Sequence, residues 1–531
     1  MNKGIANLIV ARRSDCNKAD RAETIRQCQN NRNLANGDAF IQQNEKIKTV
    51  LFSFLFLLVL PGTVSAHHIE WQSCMTQPYS HWFGEEKPSP DLLCGYLSVP
   101  LKYTDTGGDI SDEEIPQVRL ALTKLPAKSK PEGSILMIPG GPGQPGINPY
   151  IDFDWPVTNL RESWNIIGFD PRGTGQSTPV INCQQSDTDI QEDITEKQRI
   201  LNKINACIHN SGGAEVIRYI GSNEATYDID RIRQALGDRQ LTAVAYSYGT
   251  QIASLYAERF PSNVRSIVLD GVVNLDDLDF TWQLRQALGY QETFERFASW
   301  CASTESCPLS SDREQAINQF NELLSKLHRS PLTDSKGKEV SSDDLILLTY
   351  DLLLWRSSWP VLATAIRQFS RGIVSKEIET VLNEPSFSEK SSDALEVILC
   401  VDEEDKQLTP AERESRKNAL ADAFPAINFH RETSGSPDFC ELWPVHRGLK
   451  NTRRDNTVLP SGLLFVAQKH DPTTPWINAR KAADKFSSPL LTVNGDGHTL
   501  ALHGTNLCVD KAVVRHLLAP QKMEDITCSG R

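Results

Sequence analysis

Apolar and polar residues alternate along this chain in runs that predict its elements. In "QVRLALTKL", Val118, Leu120 and Leu122 alternate with Arg119, Ala121 and Thr123, the spacing a strand requires. "GSILMIPG" and "WNIIGFD" are short, continuously apolar runs, which suits strands buried on both faces. In "SNEATYDIDRIRQALG" the spacing becomes helical. Ala225, Ile229, Ile232 and Leu236 share a face, with Ser222 as the expected N-cap and Gly237 as the stop. A strand at 241–246, a helix at 248–259 closed by Phe260-Pro261, and the strand "VRSIVLDGV" follow. This β-α-β-α-β alternation predicts an α/β fold: a mostly parallel sheet with helices on both faces.

The texture changes from about 275 to 455. Strand runs give way to helical segments such as "REQAINQFNELLSKLH" and "SDDLILLTYDLLLW", separated by "EPSFSEKSSD" and "ETSGSPDF", which read as loops. Strand signals return in "SGLLFVAQ" and "PLLTVNG", and "CVDKAVVRHLL" reads as a final helix. The expected division is 67–274 and 456–531 as two parts of one α/β core, with 275–455 as a helical insertion. Residues 1–66 stand apart as an N-terminal extension and signal peptide. In "KIKTVLFSFLFLLVLPGTVSA" two lysines precede an apolar run from Val50 to Leu60, and small residues lead to a cut after Ala66. The run is shorter than the roughly 20 residues of a spanning helix, so cleavage and export are expected over a stable membrane anchor. Residues 1–45 are polar and enter no fold argument.

Composition narrows the functional classes. The chain that follows the cut carries a net charge of −17, which argues against nucleic acid or an anionic membrane surface as partner. It holds ten cysteines in neighbouring pairs: Cys74 and Cys94, Cys183 and Cys207, Cys301 and Cys307, Cys400 and Cys440, Cys508 and Cys528. Five local disulfides would suit a secreted or periplasmic protein, although connectivity does not follow from sequence alone. No Cys-x-x-Cys or histidine-rich cluster points to a metal.

The candidate chemistry centres on "LTAVAYSYGTQIA". A serine hydroxyl becomes a nucleophile only when a turn presents it and a base takes its proton. A tight strand-to-helix turn does the presenting, and needs small residues two positions either side of the serine. Gly249 and Ala245 flank Ser247 in that way, so Ser247 is the candidate nucleophile. The Tyr248 N–H at the helix start and Gly141 of the glycine-rich "IPGGPGQPG" are the candidate oxyanion donors. An acid and a base should follow on loops after later strands. Asp471 in "HDPTTP" and His498 in "GDGHTL" fill those places, with His470, His503 and Asp496 as competitors. His498 would accept the serine proton, and Asp471 would orient the imidazole.

These pieces carry a resemblance. "GGPGQPG", "GFDPRGTGQS", "AYSYGT", "VLDGV", "HDPTTP" and "GDGHTL" together resemble α/β-hydrolases of the prolyl aminopeptidase and tripeptidyl aminopeptidase family, and more closely its secreted, disulfide-containing branch. Pro139 stands where many relatives have histidine, and Ala245 replaces glycine; neither position supplies a catalytic group. The resemblance implies an α/β-hydrolase with an inserted helical cap. It also implies a cofactor-free serine exopeptidase that takes short peptides or single residues from a free N-terminus. Relatives hold the substrate ammonium with cap carboxylates, a role that falls by position on Asp402, Glu403 and Glu404, although a solvated acidic turn is the plainer reading. Trp355, Trp359 and Trp443 are candidates for a substrate pocket, with core packing expected of at least two. Asp170 and Arg172 are expected to brace the loop beside the site. An esterase or lipase would use the same triad, and a secreted binding protein on a degenerate fold is the alternative outside enzymes.

Overall fold

The computed structural model describes residues 68–84, 87–104, 116–148, 155–185, 194–277, 280–304, 306–383, 389–428, 437–449, 459–521 and 523–530. The expected signal peptide and its cut after Ala66 lie outside them. The strands are β1 (Gln72–Ser73), β2 (Leu93–Pro100), β3 (Gln117–Leu125), β4 (Gly133–Ile138), β5 (Trp164–Phe169), β6 (Leu241–Tyr246), β7 (Val264–Asp270), β8 (Leu332–Thr333), β9 (Glu339–Val340), β10 (Leu463–His470), β11 (Leu490–Asp496) and β12 (Ile526–Ser529). β8 and β9 form a small ladder. The others make one sheet in the order β1-β2-β3-β5-β4-β6-β7-β10-β11-β12. From β5 to β12 every neighbouring pair is parallel, while β1, β2 and β3 add an antiparallel edge.

The helices are α1 (Trp155–Leu160), α2 (Glu196–Asn210), α3 (Ala214–Ile217), α4 (Ser222–Ala235), α5 (Tyr248–Arg259), α6 (Phe280–Ala302), α7 (Arg313–Arg329), α8 (Ser342–Leu352), α9 (Trp359–Ser370), α10 (Lys376–Leu382), α11 (Glu389–Asp402), α12 (Pro410–Ala423), α13 (Phe439–Leu442), α14 (Trp476–Lys485) and α15 (Leu507–Leu518). Strands apolar on both faces explain the layering, because each face of the sheet buries its own set. Leu136, Ile138, Ala243, Ala245 and Phe465 face Ile229, Ile232, Ile252 and Tyr256 of α4 and α5. Ile135, Met137, Val244, Val268 and Val466 face Val509, Val513 and Leu517 of α15. A third core lies wholly between β7 and β10, around Phe294, Phe297, Phe320, Trp359 and Phe424. Burying one such side chain is worth about 1.5–3 kcal/mol, so this helical region carries its own stabilisation.

Two local expectations need correction. Ser222 is not the N-cap of α4 but its first residue; Gly221 takes the cap position. The Ser222 N–H donates instead to Asp402 Oδ1 at 2.8 Å, so α11 caps α4 from across the fold. The loop read in "EPSFSEKSSD" is already helical from Glu389, because Ala394, Val397, Ile398 and Val401 find an apolar face to bury. The ten cysteines form five disulfides, each between the neighbours seen in the sequence. Among the described residues no helix is long and apolar enough to cross a membrane.

Candidate active site

Ser247 sits between β6 and α5 with φ 52° and ψ −125°, a conformation that costs a non-glycine residue about 1–3 kcal/mol. Three contacts hold it there. Its N–H donates to the Asp270 carbonyl at 2.9 Å, and its own carbonyl accepts from the Thr250 N–H at 2.9 Å and Thr250 Oγ1 at 2.6 Å. The small residues around it have separate reasons. A methyl on Gly249 would lie 2.8 Å from the Ile138 carbonyl and closer still to that of Pro139. One on Gly140 would meet Ser247 Cβ at 3.1 Å. Ala245 is fully buried against the helices, where its methyl is accommodated.

His498 and Asp471 meet behind this turn. His498 Nδ1 lies 2.8 Å from Asp471 Oδ2, with the two side chains 8% and 0% exposed. Asp471 Oδ1 accepts from the N–H groups of Thr473 and Thr474, at 3.0 and 2.8 Å, and its Oδ2 also accepts from Thr474 Oγ1 at 2.8 Å. Burial alone would lower the imidazole pKa. The charge and hydrogen bond of Asp471, with Asp270 behind, outweigh that and leave it above its usual value. Gly271 lies against the ring, since a methyl there would come 2.7 Å from His498 Cε1. It follows Asp270, whose carbonyl binds the Ser247 N–H, so one short stretch of chain touches both the serine turn and the imidazole.

The competitors are engaged elsewhere. His470 Nδ1 faces Glu292 Oε1 at 2.7 Å. His503 is packed at 5.9 Å from the Tyr246 ring, and burial, with His498 nearby, lowers its pKa to about 4. Asp496 pairs with Arg296 and Arg356. The glycine loop after β4 is held from below by Asp170, whose Oδ1 accepts from the N–H groups of Gly146 and Ile147 at 2.7 and 3.0 Å. Gly141 takes φ +104° within that loop. Arg172 forms a buried ion pair with Asp228 and also donates to the Leu101 and Tyr219 carbonyls.

Sequence reasoning passed over two contributors, Thr474 and Asp270, and gave a third, Trp355, a different role. Thr474 Oγ1 lies 3.1 Å from His498 Nδ1 as well as bonding Asp471. Asp270 Oδ2 accepts from the Leu500 and Ala501 N–H groups, both at 2.6 Å, tying the histidine loop to the sheet. Trp355, expected in a substrate pocket, donates its indole N–H to the His498 carbonyl at 3.0 Å. Trp359 and Trp443 are core residues, 0% and 2% exposed. "DPTT" did hold a signal for Thr474, because an aspartate followed by threonines favours a turn bonded back to its carboxylate.

Of the three cap carboxylates, Asp402 is committed internally. Its oxygens accept from the Ser222 N–H and Oγ and from Gln251 Nε2, and lie 3.4 Å from the Tyr248 hydroxyl. Burial pushes its pKa up to about 7, against the Ser222 hydrogen bonds that favour the carboxylate. Glu403 and Glu404 line a cavity of about 440 Å³ together with Leu275, Phe280, Asp438 and His446. Burial, and then the charge of Asp438, raise the Glu403 pKa, with His446, Lys406 and Arg416 opposing.

Residues 133–505 match the model of the α/β-hydrolase fold family, and the chain belongs to that family. It is a serine hydrolase of the α/β fold. It is 74% identical to YuaR of Escherichia coli (strain K12), named only provisionally as a hydrolase, across 91% of this chain and 97% of that protein. Three more distant relatives carry names with an activity. Serine protease Hip1 of Mycobacterium bovis is 30% identical over 85% of this chain and 88% of its own. Carboxylesterase B of Mycobacterium tuberculosis is 28% identical over 86% and 89%. Tripeptidyl aminopeptidase of Streptomyces lividans is 25% identical over 87% and 86%.

Proposed function

We propose that the protein is an exported serine aminopeptidase that cleaves short pieces from the free N-termini of peptides through a Ser247–His498–Asp471 triad. The observation that carries the catalytic part is the buried His498–Asp471 pair, whose imidazole lies against the same Asp270-Gly271 stretch that binds the Ser247 turn, with the serine held at positive φ. His498 takes the Ser247 proton as Oγ attacks the scissile carbonyl, while Asp471 keeps Nδ1 protonated and steadies the imidazolium. The Tyr248 N–H and the Gly141 loop face the developing oxyanion. His498 then protonates the leaving amine and activates water to free the acyl group.

The aminopeptidase part is supported by the relatives named as peptidases and by the carboxylates of Glu403, Glu404 and Asp438 in the cavity, whose lining also includes Lys406, Arg413, Arg416 and Lys417. Burial, and then the charge of Asp438, raise the cost of charging Glu403 there, and a substrate ammonium would relieve it. Five disulfides accord with an oxidising compartment outside the cytoplasm. The test compares a fluorogenic peptide amide with its N-acetylated twin, with Ser247→Ala as blank. Cleavage of the free form alone is expected, and Glu403→Gln should raise its KM about tenfold with little change in kcat. Equal cleavage of both forms would reject amine recognition. It would favour the ester-hydrolase reading that the Carboxylesterase B relative supports, to be checked with short acyl esters.

A further inference from the structure

We propose that Trp355 is a positioning residue for this reaction, and that the helical insertion, rather than the sheet alone, sets the aim of the His498 imidazole. The inference rests on the reading of His498 as the base. β11 ends at Asp496, so the backbone groups of the next residues must find partners outside the strand. The Gly497 N–H donates to the His470 carbonyl of β10 at 3.2 Å, and the insertion supplies the partners of His498. The His498 N–H donates to the Leu354 carbonyl at 2.8 Å, and the His498 carbonyl accepts from Trp355 Nε1 at 3.0 Å. Trp355 also forms an antiparallel bridge with Gly497. Gly497, at φ +137°, permits that approach, because a side chain there would meet the Leu354 carbonyl at 3.1 Å and Gln468 Nε2 at 2.9 Å.

The clamp is anchored on both sides. Asp496 pairs with Arg296 of α6 and, at 3.2 Å, with Arg356, whose guanidinium lies 4.1 Å from the centre of the fully buried Trp359 ring. Past the histidine, Asp270 on β7 takes the Leu500 and Ala501 N–H groups. His498 is thus suspended between an anchorage in the helical region and one in the sheet. Thr499 at φ 54° and Leu502 at φ 62° are strained conformations that both anchorages help to hold. A shift at the Trp355 end would turn the ring, moving Nδ1 relative to Asp471 and Nε2 relative to Ser247. Trp355 itself is 38% exposed, so its N–H can be removed without opening a core.

The test uses Trp355→Phe, which keeps an aromatic ring and deletes the donor, in the full chain beside wild type. Fluorophosphonate titration first counts reactive serines, and kcat is taken per labelled site. Misalignment of this kind is expected to lower kcat about 10- to 100-fold while KM stays within about twofold. The acid limb of kcat/KM should move to lower pH as the imidazole loses its alignment with Asp471. Asp496→Asn, which weakens both arginine pairs, should move the same quantities in the same direction by less. A raised KM at unchanged kcat would make Trp355 a substrate contact and overturn the proposal. Wild-type kcat per site with an unmoved limb would do the same. If wild type itself is not labelled at Ser247, the acyl-enzyme reading fails and this proposal falls with it.

Discussion

Gly249→Ala puts the geometry of the elbow under direct test. The added methyl would sit 2.8 Å from the Ile138 carbonyl and nearer to that of Pro139, whereas ordinary contact begins near 3.4 Å. To bring the nearer carbonyl out to ordinary contact, the start of α5 and the chain at Ile138-Pro139 must separate by about 1 Å, and neither neighbour is a side chain that can swing aside. That displacement falls between Ser247 and the glycine loop, the two parts that must close on one carbonyl. Misplacement near 1 Å costs on the order of a hundredfold in rate, so a loss of about 10- to 100-fold in kcat/KM is expected. Overpacking should also cost about 1–3 kcal/mol of stability. The assay pairs the second-order rate of fluorophosphonate labelling with thermal melting, and Ala245→Gly serves as the contrast. Position 245 already accommodates a methyl, so that variant should label within about threefold of wild type. Wild-type labelling by Gly249→Ala would refute the argument that this contact sets the nucleophile.

Two further outcomes follow from buried ionisable groups. His498 is held above its usual pKa by Asp471 despite burial, so kcat/KM should climb with pH along an acid limb lying above 6.5. Asp471→Asn should move that limb down and cut kcat by about a thousandfold or more; an unmoved limb would assign the titration to another group. Asp402, raised to about 7 by burial, holds its proton more tightly folded than unfolded. Its contribution to stability is complete below about pH 4 and is lost as pH rises through 7. Asp170 and Asp270, each raised to about 6, act with the same sign. Melting temperature should fall between pH 5 and pH 8 and fall less in Asp402→Asn; identical decrements would count against a raised Asp402.

The parts of the molecule legible in the sequence are those where local pattern and tertiary demand coincide. β4, β5, β6 and β7 are buried on both faces and so are mostly apolar, which made the parallel sheet readable. Ser247, Asp471 and His498 each stand at a strand end, and order along the chain was enough to propose them. Asp402 illustrates the limit. It stands in an acidic run that looks like a charged surface, yet its oxygens bind Ser222 and Gln251 more than 150 residues earlier in the chain. Trp355 is similar: an exposed tryptophan resembles a pocket residue until its N–H is seen to reach the His498 carbonyl. Both roles depend on partners brought close only by the tertiary fold, and no periodicity encodes them. β1 and β12 were missed for a different reason, being too short to show alternation.

The short outer strands have a consequence for survival after folding. Cys74, next to β1, is bonded to Cys94 of β2, and Cys528 of β12 is bonded to Cys508 of α15. Among the described residues, both ends of the sheet are therefore covalently fastened, one to the neighbouring strand and the other to the helix beside it. Sheet ends are where strands peel first, exposing edges to foreign chains and extended backbone to proteases. Fastening its two margins lets the sheet resist being unzipped from its rim.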